Sequence, residues 1–340
     1  EFSLHPIATI ADKDRVSEFH QFGIIGVFST EHEDQLTSGE VDIVVHSLKD
    51  LPTTLREGLV LAAVPERVDP RDVLCGASLA ALPQGARVGT GSLRRRSQIL
   101  SLRPDVEVVP IRGNVGPRLA KINGDDGLDA VILAQAGLQR LGLDGATSEL
   151  LDPILFPYAI GQGALGVQAR AEDTTLLAML KDIEDPKARA EVDCERALLH
   201  ALGAGCSLPV GASTTWEGGR LRLHAQITAH DGSQRITAHD ERPGHEAVEL
   251  GLATAEALRL AGGVRSENAR ITVDDYTTLA SYGSRFVSGG SPTFSDTLWN
   301  GGVIVEPVKG LRAYASYAEG YTVPDVGRIT RSITQVGIDL

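Results

Sequence analysis

The sequence predicts an α/β protein followed by a β-rich C-terminal segment, and three observations support this fold class. Short apolar runs such as VDIVVH and LDAVILA alternate with stretches rich in Ala, Leu and Arg up to about Gly262, as expected of strands that alternate with helices. Strands that are apolar almost throughout favour sheets covered on both faces. Residues 263–340 hold eight aromatic residues, against seven in 1–262, in runs separated by Gly, Ser, Asn and Pro, which predicts further strands. We place the boundary at Gly262–Gly263.

The elements follow in chain order from the hydrophobic pattern. Short apolar runs predict strands at 3–8, 41–46, 59–64, 106–111 and 129–134. Apolar residues at helical spacing predict helices at 30–38, 92–102, 116–123, 173–183 and 187–202. A further unit over 207–262 is predicted to contain strands at 220–228 and 233–240 and then a helix at 246–260.

The composition is that of a globular protein of two or three domains. Hydrophobic residues make up 42% and charged residues 23% of the 340 residues, and the net charge is −13, which argues against a disordered or coiled-coil chain and against general nucleic-acid binding. For 1–262 we predict neither a transmembrane helix nor a signal peptide. Three scattered cysteines predict neither a disulfide framework nor a metal site. We therefore expect a cytoplasmic monomer with neither a nucleic acid nor a membrane as partner.

Positive charge is concentrated in one stretch of this acidic chain. Between Arg87 and Lys121 there are eight basic residues, seven of them arginine, and only two acidic ones. The turns GTGSLRR (89–95) and RGNVGPR (112–118) lie in it, each after a strand and before a helix, where backbone N–H groups and guanidinium groups can hold an anion. We expect a polyanionic small molecule to bind here, and a solvated helix face is the alternative.

Three further motifs each allow two interpretations. The sequence HSLKD (46–50) ends an apolar strand, where open α/β sheets bind ligands, but the same residues could simply cap a helix. The sequence GQGALG (161–166) matches G-x-G-x-x-G literally, yet no βαβ unit precedes it, so dinucleotide binding is a weak hypothesis. Cys206 lies in a turn bounded by Gly and Pro. It is either a reactive thiol, which acts as a nucleophile or an attachment point, or an inert one. Cys75 and Cys194 are interpreted as structural.

Taken together and in this order, seven long motifs between about Phe2 and Gly262 resemble the hydroxymethylbilane synthase (porphobilinogen deaminase) family. They are VDIVVHSLKDLPT, ERVDPRDVL, GTGSLRRRSQ, IRGNVGPRL, DAVILAQAGLQRLGL, IGQGALGVQAR and ERALLHALGAGCSLPVGA. The resemblance implies two α/β domains like those of type II periplasmic binding proteins, which face each other across a cleft, and a small α+β domain that carries the cofactor cysteine. The expected bounds are 1–65 with 164–183 for domain 1, 66–163 for domain 2 and 184–262 for domain 3, with an unrelated tail at 263–340.

The same resemblance implies an activity and a set of site residues. The family adds four porphobilinogen units head to tail, with loss of ammonia, to a dipyrromethane cofactor, which would be attached here to Cys206, with Asp50 as the catalytic residue. The family's cofactor contacts correspond to Asp12, Ser47, Lys49, Thr90, Ser92, Arg94, Arg95 and Arg112. Its substrate contacts correspond to Phe28, Arg118 and Gln162. A small-anion binding module of the periplasmic type and an inactive truncated chimera are the alternatives.

The chain departs from the family pattern at both ends. The family's opening T-R-x-S-x-L-A motif does not occur, so we expect domain 1 to be truncated, and Ile25 and Thr30 stand where the family has lysines. Residues 264–340 resemble strands of the barrel of TonB-dependent outer-membrane receptors. Our hypothesis is therefore a fusion of fragments from two gene products, with exposed strands that favour aggregation.

Overall fold

The computed structural model describes residues 30–124, 127–203 and 208–259, together with Ser3 and the backbone of five strands between 263 and 318. The chain divides into two compact units, Glu1–Leu258 and Arg259–Leu340. In the first unit, helices lie against three separate sheets, which confirms the α/β prediction. Among the described residues, no helix combines the length and the apolar composition that a bilayer crossing requires.

The first sheet has three antiparallel strands with a helix on each face. Its strands are β1 (Ile43–Ser47), β2 (Leu59–Ala63) and β8 (Leu165–Arg170), and its helices are α1 (Thr30–Ser38) and α5 (Thr174–Leu180). Strand β8 lies between β1 and β2 and pairs with both. Leu36 of α1 packs against Val44 on one face, and Leu180 of α5 packs against Val167 on the other. Each face is therefore held by its own apolar cluster.

The second sheet has five strands and carries the turns rich in arginine. Its elements are β3 (Asp72–Cys75), β4 (Arg87–Gly89), α2 (Leu93–Leu102), β5 (Glu107–Val109), α3 (Val115–Leu119), β6 (Ala130–Ala134), α4 (Gln135–Arg140) and β7 (Glu149–Leu150). The strand order is β5-β4-β6-β3-β7; β4 is parallel to β5 and β6, whereas β3 is antiparallel to β6 and β7. Because β4 and β5 are parallel, the turns that follow them open at the same edge of the sheet.

The third sheet is a meander backed by two helices. It contains β9 (Val210–Glu217), β10 (Arg220–Thr228) and β11 (Arg235–Pro243), and the helices are α6 (Pro186–Leu202) and α7 (Ala247–Arg259). Leu198 of α6, Leu223 of β10 and Leu250 of α7 belong to one buried cluster. The Asp185 carboxylate caps the start of α6 by accepting from the Ala188 N–H (2.7 Å), and Gly203 ends the helix with φ +62°.

The second unit is described as strands only. They are β12 (Gly263–Arg270), β13 (Tyr276–Thr277), β14 (Phe286–Val287), β15 (Thr293–Val308) and β16 (Leu311–Ala318). Strand β15 pairs antiparallel with both β12 and β16, and β13 pairs with β14. The β-rich character predicted for the tail is confirmed for these strands.

Most predicted elements of the first unit are present, and the errors have physical causes. The helix predicted at 116–123 ends at Leu119, and Asn123 has a positive φ of 55°. Strands β3, β7, β8 and β9 and helix α4 were not predicted. Strands β3 and β7 and helix α4 are short, and β8 and β9 mix polar with apolar residues. Of the strand predicted at 3–8, all but Ser3 lies outside the described residues.

Candidate functional site

A tight turn at the end of β1 presents two charged side chains. Leu48, Lys49 and Asp50 form one turn of 3₁₀ helix. The Leu48 N–H donates to the Ala164 carbonyl (3.1 Å) and the Leu51 N–H donates to the Leu48 carbonyl (3.2 Å). Leu48 is buried, with 2% of its surface exposed, so it anchors the turn while Lys49 and Asp50 remain exposed.

The glycine-rich segment predicted as a weak dinucleotide motif packs against this turn. Gly161 has φ +72°, and a Cβ atom there would lie 3.0 Å from the Leu48 carbonyl carbon and 3.1 Å from the Lys49 nitrogen. A Cβ atom on Gly166 would lie 2.5 Å from Leu48 Cδ2. Gly161 therefore allows two backbone segments to approach closely, and Gly166 leaves room for the Leu48 side chain. These packing roles account for the motif without a nucleotide.

Arg94 and Arg95 of α2 converge on one buried acid, Asp72 of β3. Arg94 Nη2 and Arg95 Nη2 each lie 2.7 Å from an Asp72 carboxylate oxygen. Arg94 also donates to the Pro157 carbonyl (2.8 Å) and Arg95 to the Ile132 carbonyl (3.1 Å). Burial alone would raise the pKa of Asp72, but the two guanidinium charges lower it below its ordinary value.

Gln162 joins the glycine-rich segment to this network. Its Nε2 donates to the Pro70 carbonyl (2.7 Å) and to Asp72 Oδ1 (2.9 Å). Its Oε1 accepts from Arg95 Nη2 (3.3 Å). Gln162 therefore ties the turn beside Asp50 to the arginines of the second sheet.

The side chains of Thr90 and Ser92 shape the turn after β4. Thr90 Oγ1 accepts from the Ser92 N–H (3.2 Å), and Ser92 Oγ accepts from the Arg95 N–H (3.4 Å) as the cap of α2. A Cβ atom on Gly91 would lie 2.6 Å from the Ile111 carbonyl oxygen. These residues fix how α2 and its arginines leave the sheet.

Charges from both sheets act on Lys49, the neighbour of Asp50 in the turn. Burial lowers the pKa of Arg118, and the charges of Arg95 and Arg112 lower it further. Burial also lowers the pKa of Lys49; Asp50 opposes this shift, and the charges of Arg95 and Arg118 add to it. Burial raises the pKa of Asp50, which the Lys49 charge moderates. Lys49 and Asp50 are open to solvent on one side and surrounded by protein on the others, as expected of residues that line a cleft.

The positive stretch predicted between Arg87 and Lys121 is not one free anion site. Arg94 and Arg95 pair with Asp72, which lies outside that stretch. Two more arginines pair with acids inside it, Arg87 with Glu107 (3.5 Å) and Arg103 with Asp105 (2.7 Å). The cleft charge therefore comes from fewer residues than the sequence predicts, and Lys49 from the first sheet adds to it.

Several predicted site residues lie outside the described part of the chain. These are Cys206, Asp12 and Phe28, and Ile25 lies there too. By sequence, Cys206 follows the αL residue Gly203 that ends α6 and precedes β9. The roles assigned to the other predicted residues, including Ser47 and Arg112, remain predictions.

Helix α6 contributes two residues that sequence reasoning missed. Glu195 is fully buried and pairs with Arg67 (2.7 Å), and it also accepts from the Gly161 N–H (2.7 Å). Arg196 donates to the carbonyls of the segment that follows Asp50, at Leu51 (3.0 Å) and Pro52 (2.6 Å). The adjacent Glu-Arg pair at the start of ERALLHALGAGC was the available signal, because buried charges need partners.

His46 supplies a pH-dependent contribution to stability. It is buried, its Nε2 lies 2.9 Å from Gln168 Oε1, and burial lowers its pKa below 6.5. As the pH falls below about 6.5, the unfolded state binds a proton that the folded state resists, so folding free energy is lost. When the pH is lowered from about 7.5 to about 5.5, the free energy of unfolding measured in urea should therefore fall more for wild type than for His46→Gln. Equal losses would contradict this assignment.

Comparison with known proteins gives three family-model matches, which belong to two separate families. The family model described as "Porphobilinogen deaminase, dipyromethane cofactor binding domain" matches residues 1–178, and "Porphobilinogen deaminase, C-terminal domain" matches 189–259. The model "TonB dependent receptor-like, beta-barrel" matches 247–337. The two C-terminal matches overlap in α7, whose Leu250 and Leu258 pack in the buried cluster of the first unit. By packing, α7 therefore belongs with the deaminase part.

Curated relatives agree with the first two matches. A porphobilinogen deaminase of Roseiflexus sp. is 44% identical over 272 residues, which cover 77% of this chain and 89% of the relative. One from Brevibacillus brevis is 42% identical, with 77% and 85% covered. One from Roseiflexus castenholzii is 46% identical, with 70% and 79% covered. The two deaminase family models together match most of residues 1–259, and the curated relatives are 42–46% identical. The chain therefore belongs to the porphobilinogen deaminase family.

Proposed function

We propose that this chain condenses four molecules of porphobilinogen head to tail, with release of ammonia, into hydroxymethylbilane. The observation that carries the proposal is the group of charges around Lys49: Asp50 lies next to it in the turn, and the charges of Arg95 and Arg118 both act on it. Each porphobilinogen unit has an acetate and a propionate, so the growing product accumulates negative charge. A cationic cleft with one acidic group fits this substrate class.

The same charges fit a dipyrromethane, which has four carboxylates on two pyrrole rings. Lys49, Arg112 and Arg118 would hold those carboxylates, whereas Arg95 is already paired with Asp72, and Cys206 would hold the group covalently. When bound, dipyrromethane supplies the pyrrole carbon to which the first substrate unit is joined. Because α6 ends at Leu202, shortly before Cys206, the tether would begin at a rigid helix. A tether of this kind makes each condensation effectively intramolecular.

Asp50 would do the proton chemistry. Its carboxylate can accept hydrogen bonds from pyrrole N–H groups and stabilise positive charge that develops on them. Burial raises its pKa towards neutrality, which favours proton exchange with a reacting carbon. The Lys49 charge opposes that rise in the pKa of Asp50 and so favours the ionised carboxylate. Activity should therefore fall on the acid side, as Asp50 becomes protonated.

Incubation with porphobilinogen tests the cofactor and the reaction together. We expect the intact mass to rise by two pyrrole units, a colour with Ehrlich's reagent after acid denaturation, and release of ammonia. Cys206→Ser should show none of these. Cys194→Ala is the matched control and should behave like wild type, because Cys194 is fully buried and burial raises the pKa of its thiol. An unmodified wild-type mass would contradict the proposal.

The remaining sequence expectations belong to the same proposal. A location in the cytoplasm is supported by the three scattered cysteines, and the monomeric state remains a prediction. A small-anion binding module is less well supported, since the family is enzymatic, and binding of carboxylates without ammonia release would favour it. The two separate family matches support a fusion of two gene fragments. Sequencing the gene across the codons for Gly262 to Arg270 tests that origin.

A further inference from the structure

A buried arginine of α6 holds the chain directly after the catalytic turn. Arg196 has only 9% of its surface exposed. Its guanidinium donates to three consecutive backbone carbonyls, those of Leu51 (3.0 Å), Pro52 (2.6 Å) and Thr53 (3.3 Å). A planar guanidinium has five N–H donors in a fixed fork, so it can hold several carbonyls at once. One side chain therefore sets the path of the backbone that leaves Asp50.

This segment has little other regular support. Residues 51–57 form neither helix nor strand. Pro52 has no N–H to donate, and the described backbone bonds of the turn lie on its other side, at Leu48 and Leu51. The position of Asp50 thus depends on β1 and the buried Leu48 before it, and on the buried Leu51 and the bonds of Arg196 after it.

Helix α6 also holds the neighbouring segment. Glu195, next to Arg196, accepts from the Gly161 N–H (2.7 Å), and Gly161 packs against the backbone of Leu48 and Lys49. The same helix ends four residues before Cys206. One rigid element therefore contacts both segments that flank Asp50 and leads to the cysteine.

We propose that Arg196 is a positioning residue, which fixes the Asp50 carboxylate relative to helix α6 through the carbonyls of Leu51, Pro52 and Thr53. The proposal rests on the function proposed above. Arg196 itself touches neither the substrate nor the reacting atoms. Its loss should therefore slow the reaction while leaving the cationic cleft and the attachment of the cofactor intact.

Arg196→Met removes the donors at similar side-chain length, and Arg196→Lys keeps the charge but reaches fewer carbonyls. Arg189→Met is the matched control. Arg189 also lies on α6 and is half-buried, and it also donates to a backbone carbonyl, that of Leu61 in β2 (3.0 Å). It differs from Arg196 in that its partner lies away from Asp50.

For Arg196→Met we expect kcat to fall by about 10²-fold, the typical effect of a catalytic group displaced by 1 Å. KM should change by less than about twofold, because the cleft arginines are untouched. The variant should also carry a full complement of cofactor. For Arg196→Lys we expect kcat to fall by about 10-fold. Arg189→Met should lose thermal stability without a change in kcat. The acid limb of the kcat profile should move only in the Arg196 variants, since the solvation of Asp50 depends on where the turn lies.

Hydrogen exchange of the backbone supplies a readout that does not require activity. Peptides spanning residues 48–55 should exchange faster in Arg196→Met, and peptides spanning β2 should exchange faster in Arg189→Met. An unchanged kcat in Arg196→Met, or unchanged exchange at 48–55, overturns the positioning role; if this variant does not fold, Arg196→Lys decides by the same criteria. Absence of turnover in wild type would instead refute the proposed function, and the exchange data would still decide on positioning.

Discussion

Asp50→Asn should reduce the rate of porphobilinogen consumption by about 10³-fold or more, within the range for loss of a general acid–base group. The amide keeps the size of the side chain and loses both its negative charge and its ability to take a proton. Burial already raises the pKa of Asp50, so a neutral side chain is tolerated at this position and the fold should be unaffected. The mass increase from cofactor attachment should persist, because it depends on Cys206.

Asp42→Asn provides the matched control for this prediction. Asp42 directly precedes β1, the strand that ends at the turn of Lys49 and Asp50, and its carboxylate is 81% exposed beside Arg170 (3.2 Å). We expect this variant to keep the rate of wild type. Turnover by Asp50→Asn at a rate close to wild type would show that another group handles the proton. Rate assays by ammonia release and intact-mass spectra distinguish these outcomes.

Asp72→Asn should destabilise the protein by about 3–5 kcal/mol, the usual cost of breaking a buried ion pair. Asp72 has no exposed surface and balances both Arg94 and Arg95, whose side chains are 7% and 8% exposed. With the carboxylate neutralised, two guanidinium charges would remain in a site that excludes water. The loss should appear as a lower urea midpoint with an unchanged slope.

An exposed ion pair gives the comparison for this second prediction. Asp34 pairs with Arg56 where both side chains are largely in solvent, at 61% and 42% exposed. Asp34→Asn should change the free energy of unfolding by at most about 1 kcal/mol. If Asp72→Asn were no more destabilising than Asp34→Asn, the buried network would not be the stabilising feature described here.

Local signals in the sequence were enough to predict the longer helices. Helix α6 has an Asp cap, a Pro in its first turn and a Gly at its end, all of which are readable in sequence order. The four-residue strand β3 has no such signal, because its residues are buried on both faces and too few to show a period. Local pattern therefore predicted long elements with caps and failed for short central strands.

The site was predicted less completely than the fold, since its partners are distant in sequence. Counting charges between Arg87 and Lys121 could not show that Asp72 neutralises two of the arginines. The Lys49–Asp50 pair was found from its place at the end of a strand. The contacts of Arg196 with residues about 145 positions away depend on how the domains pack, which a local pattern does not encode.

The strand order of the first sheet has a consequence for synthesis on the ribosome. Strands β1 and β2 do not pair with each other, because β8 lies between them and is encoded about 100 residues after β2. While residues 165–170 are not yet synthesised, β1 and β2 therefore lack the strand with which each of them pairs in the described structure. During that interval, chaperone binding or a pause in translation would protect the exposed backbone edges. Termination of translation before residue 170 would leave the turn of Lys49 and Asp50 without β8, the strand that pairs with β1.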